Sequence, residues 1–131
     1  MSFLLSLVTP RGIYKEEEIE SLTIKLISGY RTILSGHAPL IGALDVAPMH
    51  YIKNGIVFEF ALHGGALNVK EDKVVVITNA VEEKDDIDIN RAQEAKKRAE
   101  ERLSSNDPNI DVKRAELALK RALVRIEIAK K

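Results

Sequence analysis

Val81-Glu82-Glu83-Lys84-Asp85-Asp86-Ile87-Asp88-Ile89-Asn90-Arg91-Ala92 is the stretch on which the reading of the fold turns. On its N-terminal side charge is sparse: residues 1–81 hold 7 basic and 8 acidic side chains, whereas residues 82–131 hold 13 and 12. The hydrophobic period changes at the same place, from alternation to spacings of three and four. Two independent signals at one point divide the chain into a domain over 1–82 and a second over 83–131.

Outward toward the N-terminus the chain reads as short strands punctuated by turn residues. Phe3 to Val8 ends at Thr9-Pro10-Arg11-Gly12, and Ile19 to Ile27 ends at Ser28-Gly29. Met49 to Ile52 and Ile56 to Ala61 flank Lys53-Asn54-Gly55, while Ala66 to Val69 and Val74 to Thr78 flank Glu71-Asp72. Asn54-Gly55 is a hairpin signal, because a tight turn needs positive φ and these residues tolerate it. Leu22, Ile24 and Leu26 alternate with Thr23 and Lys25, as in a strand buried on one face. Many short strands at this spacing point to a β-sandwich or a small barrel.

Outward toward the C-terminus the pattern is helical. Ala92, Ala95, Ala99 and Leu103 recur at three and four, as do Ala115, Ala118 or Leu119, Ala122, Ile126 and Ala129. Ser104-Ser105-Asn106-Asp107-Pro108-Asn109 stops one helix and starts the next, with Asp107 as a cap and Pro108 at a first-turn position. So short a loop favours an antiparallel pair. The facing stripes are mostly Ala, so the helices approach closely but bury little area. Such a hairpin, joined through Glu82-Glu83-Lys84-Asp85-Asp86, is either a plain structural coiled coil or an element with two competing arrangements. The whole is an α+β chain: an all-β domain with a helical appendage.

Composition narrows the function. The 131 residues contain 20 Lys+Arg and 20 Asp+Glu, no Cys and no Trp. Zero net charge supplies no global field toward nucleic acid or anionic lipid, and the lack of Cys removes disulfides, thiol nucleophiles and Cys-type zinc sites. No apolar run approaches the roughly 18 residues of a membrane span. His37, His50 and His63 stand at no metal-ligand spacing, and each reads as a turn or surface residue. No phosphate-binding glycine loop, nucleophile elbow or calcium loop is present. The arginines are more informative. Arg91 and Arg98 fall on one helix face, as do Arg121 and Arg125, and an antiparallel hairpin carries Arg91, Arg121 and Arg125 toward its open end. Guanidinium groups gathered there need carboxylates such as Glu82 and Asp88, which would make a salt-bridged face, or a phosphate-bearing ligand.

In their order along the chain, Val8-Thr9-Pro10-Arg11-Gly12-Ile13-Tyr14, Ile33-Leu34-Ser35-Gly36-His37-Ala38-Pro39-Leu40, Gly64-Gly65-Ala66-Leu67-Asn68-Val69 and Ile87-Asp88-Ile89-Asn90-Arg91-Ala92 resemble the epsilon subunit of the F-type ATP synthase. The resemblance spans essentially the whole chain. It implies a ten-stranded β-sandwich followed by two C-terminal helices, with no catalytic residue of its own. It implies a rotor subunit bound to the gamma subunit and the c-subunit ring, peripheral on the cytoplasmic face of a bacterial plasma membrane. The helices of such a subunit extend toward the alpha/beta subunits and inhibit ATP hydrolysis. The resemblance further implies ATP as a regulatory ligand of the folded hairpin, at Glu82, Ile87, Asp88, Arg91, Ala92, Arg98, Arg121 and Arg125.

The sequence also departs from the family pattern. Ser28-Gly29-Tyr30-Arg31-Thr32 alters the loop expected to face the c ring, where Tyr30, Arg31 and His37 are the candidate contacts. Ala66 and Asn68 replace the usual Phe and Glu, a change expected to affect packing. Two other classes of function stay open at this point: a free-standing nucleotide sensor using the same arginines, and a small hydrolase built on His37 and Asp45, which no nucleophile-base spacing favours.

Overall fold

The structure is a computed structural model and describes all 131 residues. Its first seven strands are β1 (Phe3–Thr9), β2 (Gly12–Ile19), β3 (Ser21–Leu26), β4 (Gly29–Leu34), β5 (Leu40–Lys53), β6 (Ile56–Lys70) and β7 (Lys73–Ile77). They pair in the order β2-β1-β7-β6-β5-β3-β4, and a short β8 (Val81–Glu82) pairs with β6. Only β1 and β7 run parallel. The sheet closes over a core in which Leu5 and Leu7 of β1, Leu22 and Ile24 of β3 and Phe60 and Leu62 of β6 are at most 1% exposed. This is a β-sandwich, and the alternation over Leu22, Ile24 and Leu26 marks its inner face.

Eight strands stand where ten are expected. Met49–Ile52 is only the end of a 14-residue β5, and the separately expected 56–61 and 66–69 are one 15-residue β6. Each long strand changes its relation to its neighbours along its length. β5 pairs with Ser21–Thr23 of β3 near His50–Ile52, then, after a register shift, pairs Leu44 with Leu26. β6 pairs with β8 at Ala61 and Leu62, and with β7 from Ala66 to Lys70. Gly64 and Gly65, both at positive φ, sit where β6 passes from one partner to the other. A Cβ on Gly65 would lie 1.9 Å from the carbonyl oxygen of Ile77, so only glycine fits.

Other boundaries also move. The single strand expected over 19–27 breaks at Glu20, where β2 ends and β3 begins. β2 itself, Gly-Ile-Tyr-Lys-Glu-Glu-Glu-Ile, carries too much charge to read as a strand, yet it lies at the sheet edge, where charged side chains discourage further pairing. Ala66 and Asn68 are exposed, so the packing effect expected of them is absent. The Asn54-Gly55 turn forms as read, with φ of 52° and 74°.

After β8, a 3-10 turn over Lys84–Asp86 leads into α1 (Ile89–Ser104), and α2 (Val112–Ala129) follows. Asp88 caps α1, accepting hydrogen bonds from the amides of Asn90 and Arg91, while Asp111 caps α2 through the amide of Arg114. The cap of α2 is therefore Asp111 rather than Asp107, and Pro108 lies in the loop before it. Ala92 and Ala99 of α1 and Ala115 and Ala122 of α2 are buried, as the small-residue stripes require. On another face of α2, Val124 and Ile128 pack with Val46 of β5 and Ala61 of β6, and Ile87 rests against this cluster.

The Gly65→Ala substitution is expected to destabilise the sandwich by about 3 kcal/mol or more, through its positive φ and the collision with Ile77. Denaturant unfolding measures the loss, and a midpoint unchanged from the unsubstituted chain would contradict the account of the β6 bend.

Candidate functional site

Where α1, α2 and the end of the sandwich meet, they enclose a cavity of about 510 Å³, within the usual range for a small-molecule site. Seven of the eight residues expected around a ligand line it: Glu82, Ile87, Asp88, Arg91, Ala92, Arg98 and Arg125. They come from four places, namely β8, the segment before α1, α1 and α2. Asp86, Glu94 and Ala95 complete the lining. Arg121 stands apart from it, half-buried, with an Nε that is shielded from solvent and makes no hydrogen bond.

The carboxylates of the cavity are unequally committed. Glu82 Oε1 accepts from Arg125 Nε at 2.8 Å and from His63 Nε2 at 2.7 Å. The hydrogen bond from His63, opposed by burial but joined by that from Arg125, holds the Glu82 carboxyl down at about 2. Asp88 is occupied as the α1 cap, so it is not the arginine partner that spacing offered. Asp86 Oδ2 accepts from the amide of Glu83 at 3.1 Å. Arg91 and Arg98 are exposed, and neither is held by a carboxylate. The cavity therefore presents two uncommitted guanidinium groups from α1 and one, Arg125, already shared with Glu82.

This arrangement has a chemical consequence. Because Asp88 occupies the first free amides of α1, an anion entering here meets side-chain guanidinium groups rather than the helix end. Arg91 and Arg98 offer planar forks suited to phosphate or carboxylate oxygens. Ile87, Ala92 and Ala95 supply the apolar part of the wall. Glu94, which the sequence reading passed over, faces the same space; it lies three residues from Arg91 and four from Arg98, a spacing that marks it as their neighbour.

His63 is the residue most at odds with its expected surface position. It is 2% exposed, on β6, and its Nδ1 has no partner. It follows Ala61 by two on the strand, which puts both on the face that α2 covers. That register was available in the sequence, but the covering helix was not.

The three candidate contacts at the other end of the chain do not form one loop. Tyr30 and Arg31 lie on β4, both exposed, and His37 follows that strand, its Nδ1 2.6 Å from the carbonyl oxygen of Ala38. Tyr30 approaches the carbonyl of Pro48, with Lys25 Nζ 5.7 Å from its ring centre, and burial raises its hydroxyl above the usual tyrosine range. The turn holding His37 is fixed instead by Asp72, which accepts from the amide of Gly36 at 2.7 Å and from Ser35 Oγ at 3.3 Å. Tyr30 and His37 thus stand at opposite ends of β4.

The fold and the sequence both have relatives. Residues 2–84 match the model of the ATP synthase Delta/Epsilon chain beta-sandwich domain, and residues 85–130 match that of the Delta/Epsilon chain long alpha-helix domain. The chain is 41% identical to an ATP synthase epsilon chain of Bacillus cytotoxicus over 128 residues, covering 98% of this chain and 96% of that one. It is 38% identical to an ATP synthase epsilon chain of Bacillus mycoides over the same length and shares. Among solved structures, a chain of the Euglena gracilis mitochondrial ATP synthase (OSCP/F1/c-ring) superposes with a TM-score of 0.87 at 21% identity, covering 99% of this chain and 82% of that one, and so shares the fold. With both domain models matched in order and epsilon chains as full-length relatives, the chain belongs to the ATP synthase Delta/Epsilon family, as an epsilon chain.

Proposed function

We propose that this chain is a central-stalk subunit that couples the gamma subunit to the c-subunit ring, and that its C-terminal hairpin regulates ATP hydrolysis with ATP as the ligand of the folded-down form. The observation that carries the regulatory reading is the convergence of Glu82, Arg91, Arg98 and Arg125 from β8, α1 and α2 on one cavity. The partner reading rests on the family and on the assemblies named for its structural neighbours, which include a Tetrahymena thermophila central stalk/c-ring at a TM-score of 0.60. By the same reading the chain is a peripheral protein on the cytoplasmic face of a bacterial plasma membrane, held there by its partners. No helix of the structure is long and apolar enough to cross a membrane.

The hairpin is seated for release. Its apolar contact with the sandwich is small, centred on Val46, Ala61, Val124 and Ile128. The remaining attachment is ionic: Lys120 to Asp45 at 2.6 Å, Arg125 to Glu82 at 2.8 Å and Lys131 to Glu59 at 3.2 Å. A triphosphate lying between Arg91 and Arg98 of α1 and Arg125 of α2 bridges both helices, while Ile87 and Ala92 meet the adenosine part. A ligand that binds only the folded hairpin stabilises it by about 2.7 kcal/mol at one hundred times its dissociation constant, so ATP concentration sets the docked fraction. With ATP low, the helices leave the sandwich and present Lys113, Arg114, Lys120, Arg121 and Arg125 to the alpha/beta subunits. The chain contributes no catalytic group in this scheme.

Isothermal calorimetry on the isolated chain tests the clamp. ATP is expected to bind more tightly than ADP, and Arg91→Ala and Arg125→Ala are each expected to weaken ATP binding at least tenfold, as loss of a charge-assisted contact to phosphate does. Absence of heat at millimolar ATP would remove the nucleotide from the scheme and leave the arginines to intersubunit contacts.

The seating itself is acid-sensitive. The hydrogen bond from His63, and after it that from Arg125, hold the Glu82 carboxyl at about 2, below its ordinary 4.5; the Arg125 share, made only in the docked hairpin, is fully present above pH 4.5 and is lost as pH falls toward 2. Amide exchange of α2 is expected to accelerate over that window and also with added salt at neutral pH. Exchange indifferent to both would show that the ion pairs do not hold the hairpin.

A further inference from the structure

We propose that His63 is a positioning residue: from the outer face of β6, beneath α2, it fixes Glu82 so that the carboxylate meets Arg125 and seats α2. The geometry is specific. His63 is 2% exposed, its Nε2 lies 2.7 Å from Glu82 Oε1, and Arg125 Nε lies 2.8 Å from the same oxygen. One oxygen thus joins β6, β8 and α2. Glu82 is held at the very end of the sandwich, on a strand of two residues, where backbone pairing alone gives it little rigidity. A buried ring bonded to its carboxylate supplies the missing constraint, as a second partner does for a functional carboxylate or metal ligand.

The hydrogen-bond inventory sets the tautomer. His63 Nδ1 is buried without a partner, so a proton there would be an unsatisfied buried donor, which is costlier than a bare acceptor beside apolar neighbours. The ring therefore carries a proton on Nε2 and donates it in a hydrogen bond to Glu82. The second oxygen of Glu82 receives no hydrogen bond from the chain. A single Glu82 oxygen serves docking.

The charged surroundings are few. Across β5 the residue opposite His63 is Val46, which is apolar. The groups that bear on the imidazole are Glu82 of β8 and Arg125 of α2. Asp45 of β5 is already tied to Lys120 of α2 and Lys25 of β3, Glu59 of β6 is tied to Lys131, and Asp85 and Asp86 of the 3-10 turn are exposed. Arg121 of α2 forms no ion pair with Glu82, so Arg125 is the only guanidinium at that carboxylate. The hydrogen bond from His63 is also the largest influence lowering the Glu82 carboxyl.

This inference requires only the docked hairpin, so it stands or falls separately from the nucleotide reading. Three readouts on the whole chain test it without ligand. Long-range proton–nitrogen NMR correlation on the unsubstituted chain is expected to show His63 protonated at Nε2. A ring protonated only at Nδ1 would overturn the proposal. The carboxyl carbon shift of Glu82, followed with pH, is expected to titrate near 2 in the unsubstituted chain. In His63→Ala it should move up toward the ordinary 4.5, with recovery in His63→Gln, whose amide can donate in place of the ring. The amides of Val124 and Ile128 are expected to exchange on the order of tenfold faster in His63→Ala, the effect of losing a hydrogen bond to a charged group. A Glu82 titration identical in His63→Ala and the unsubstituted chain would assign His63 to packing alone and overturn the proposal. If His63→Ala does not fold, the tautomer and the His63→Gln titration decide.

Discussion

The continuous pairing of β5 with β6, from Leu40 opposite Val69 to Lys53 opposite Ile56, is the constraint on which the rest of the structure depends. Its two strands together carry Leu44, Met49, Tyr51, Phe60, Leu62 and Leu67 of the core. Their outer face, at Val46 and Ala61, is the seat of α2. Because one paired run contributes to both the core and the seat, side-chain period decides which residue does which. A slip of one position would turn Ala61 inward and Phe60 outward, destroying both surfaces together. The glycines at 64 and 65 let this run bend without breaking the pairing.

The same strand pair also supplies charge to the attachment of the hairpin. Asp45 and Glu59 stand on the two strands, and Glu82 stands on the short strand beside β6; each is met by a cation of α2 or of the residues just beyond it. Ion pairs partly open to solvent contribute little each and weaken with salt, while the apolar patch beneath them is only four residues across. An element held this way has a small margin between docked and free arrangements, in contrast to the core, where eighteen residues are buried together. That contrast within one short chain is the physical basis for reading the sandwich as the permanent attachment and the hairpin as the moving part.

Within the cavity, the capping of α1 by Asp88 illustrates how a local requirement shapes a site. The carboxylate satisfies the amides of Asn90 and Arg91, so the helix end is neutralised from within. The guanidinium groups of the cavity are those of Arg91 and Arg98, which the helical repeat places on one face, and of Arg125, which the fold brings from the other helix. Arg121, one turn earlier than Arg125 on α2, is turned out of that convergence. Helical spacing places Arg121 and Arg125 on a common face, yet only Arg125 lines the cavity, because Arg121 stands a full turn further along α2.

Local chemistry was legible in the residues. The change of period near Glu82, the Asn54-Gly55 turn, the inner face of Leu22, Ile24 and Leu26 and the Ala stripes of the two helices all follow from short-range sterics and from the side-chain periods of strand and helix. The motif order carried the family, and seven of the eight expected cavity residues lie together because most of them sit within one turn-and-helix segment. Other features depended on contacts between distant residues. The charged β2 holds as a strand because β1 pairs with it, and β5 and β6 run unbroken because the glycine bend preserves their ladder. His63 is buried because α2, some sixty residues later, closes over its face. The sequence by itself determined which segments form strands or helices wherever their own periodicity was strong. The tertiary structure alone decided which polar side chains are taken from water and which carboxylate meets which cation, because burial and ion pairing belong to the surfaces that meet, not to the residues one at a time.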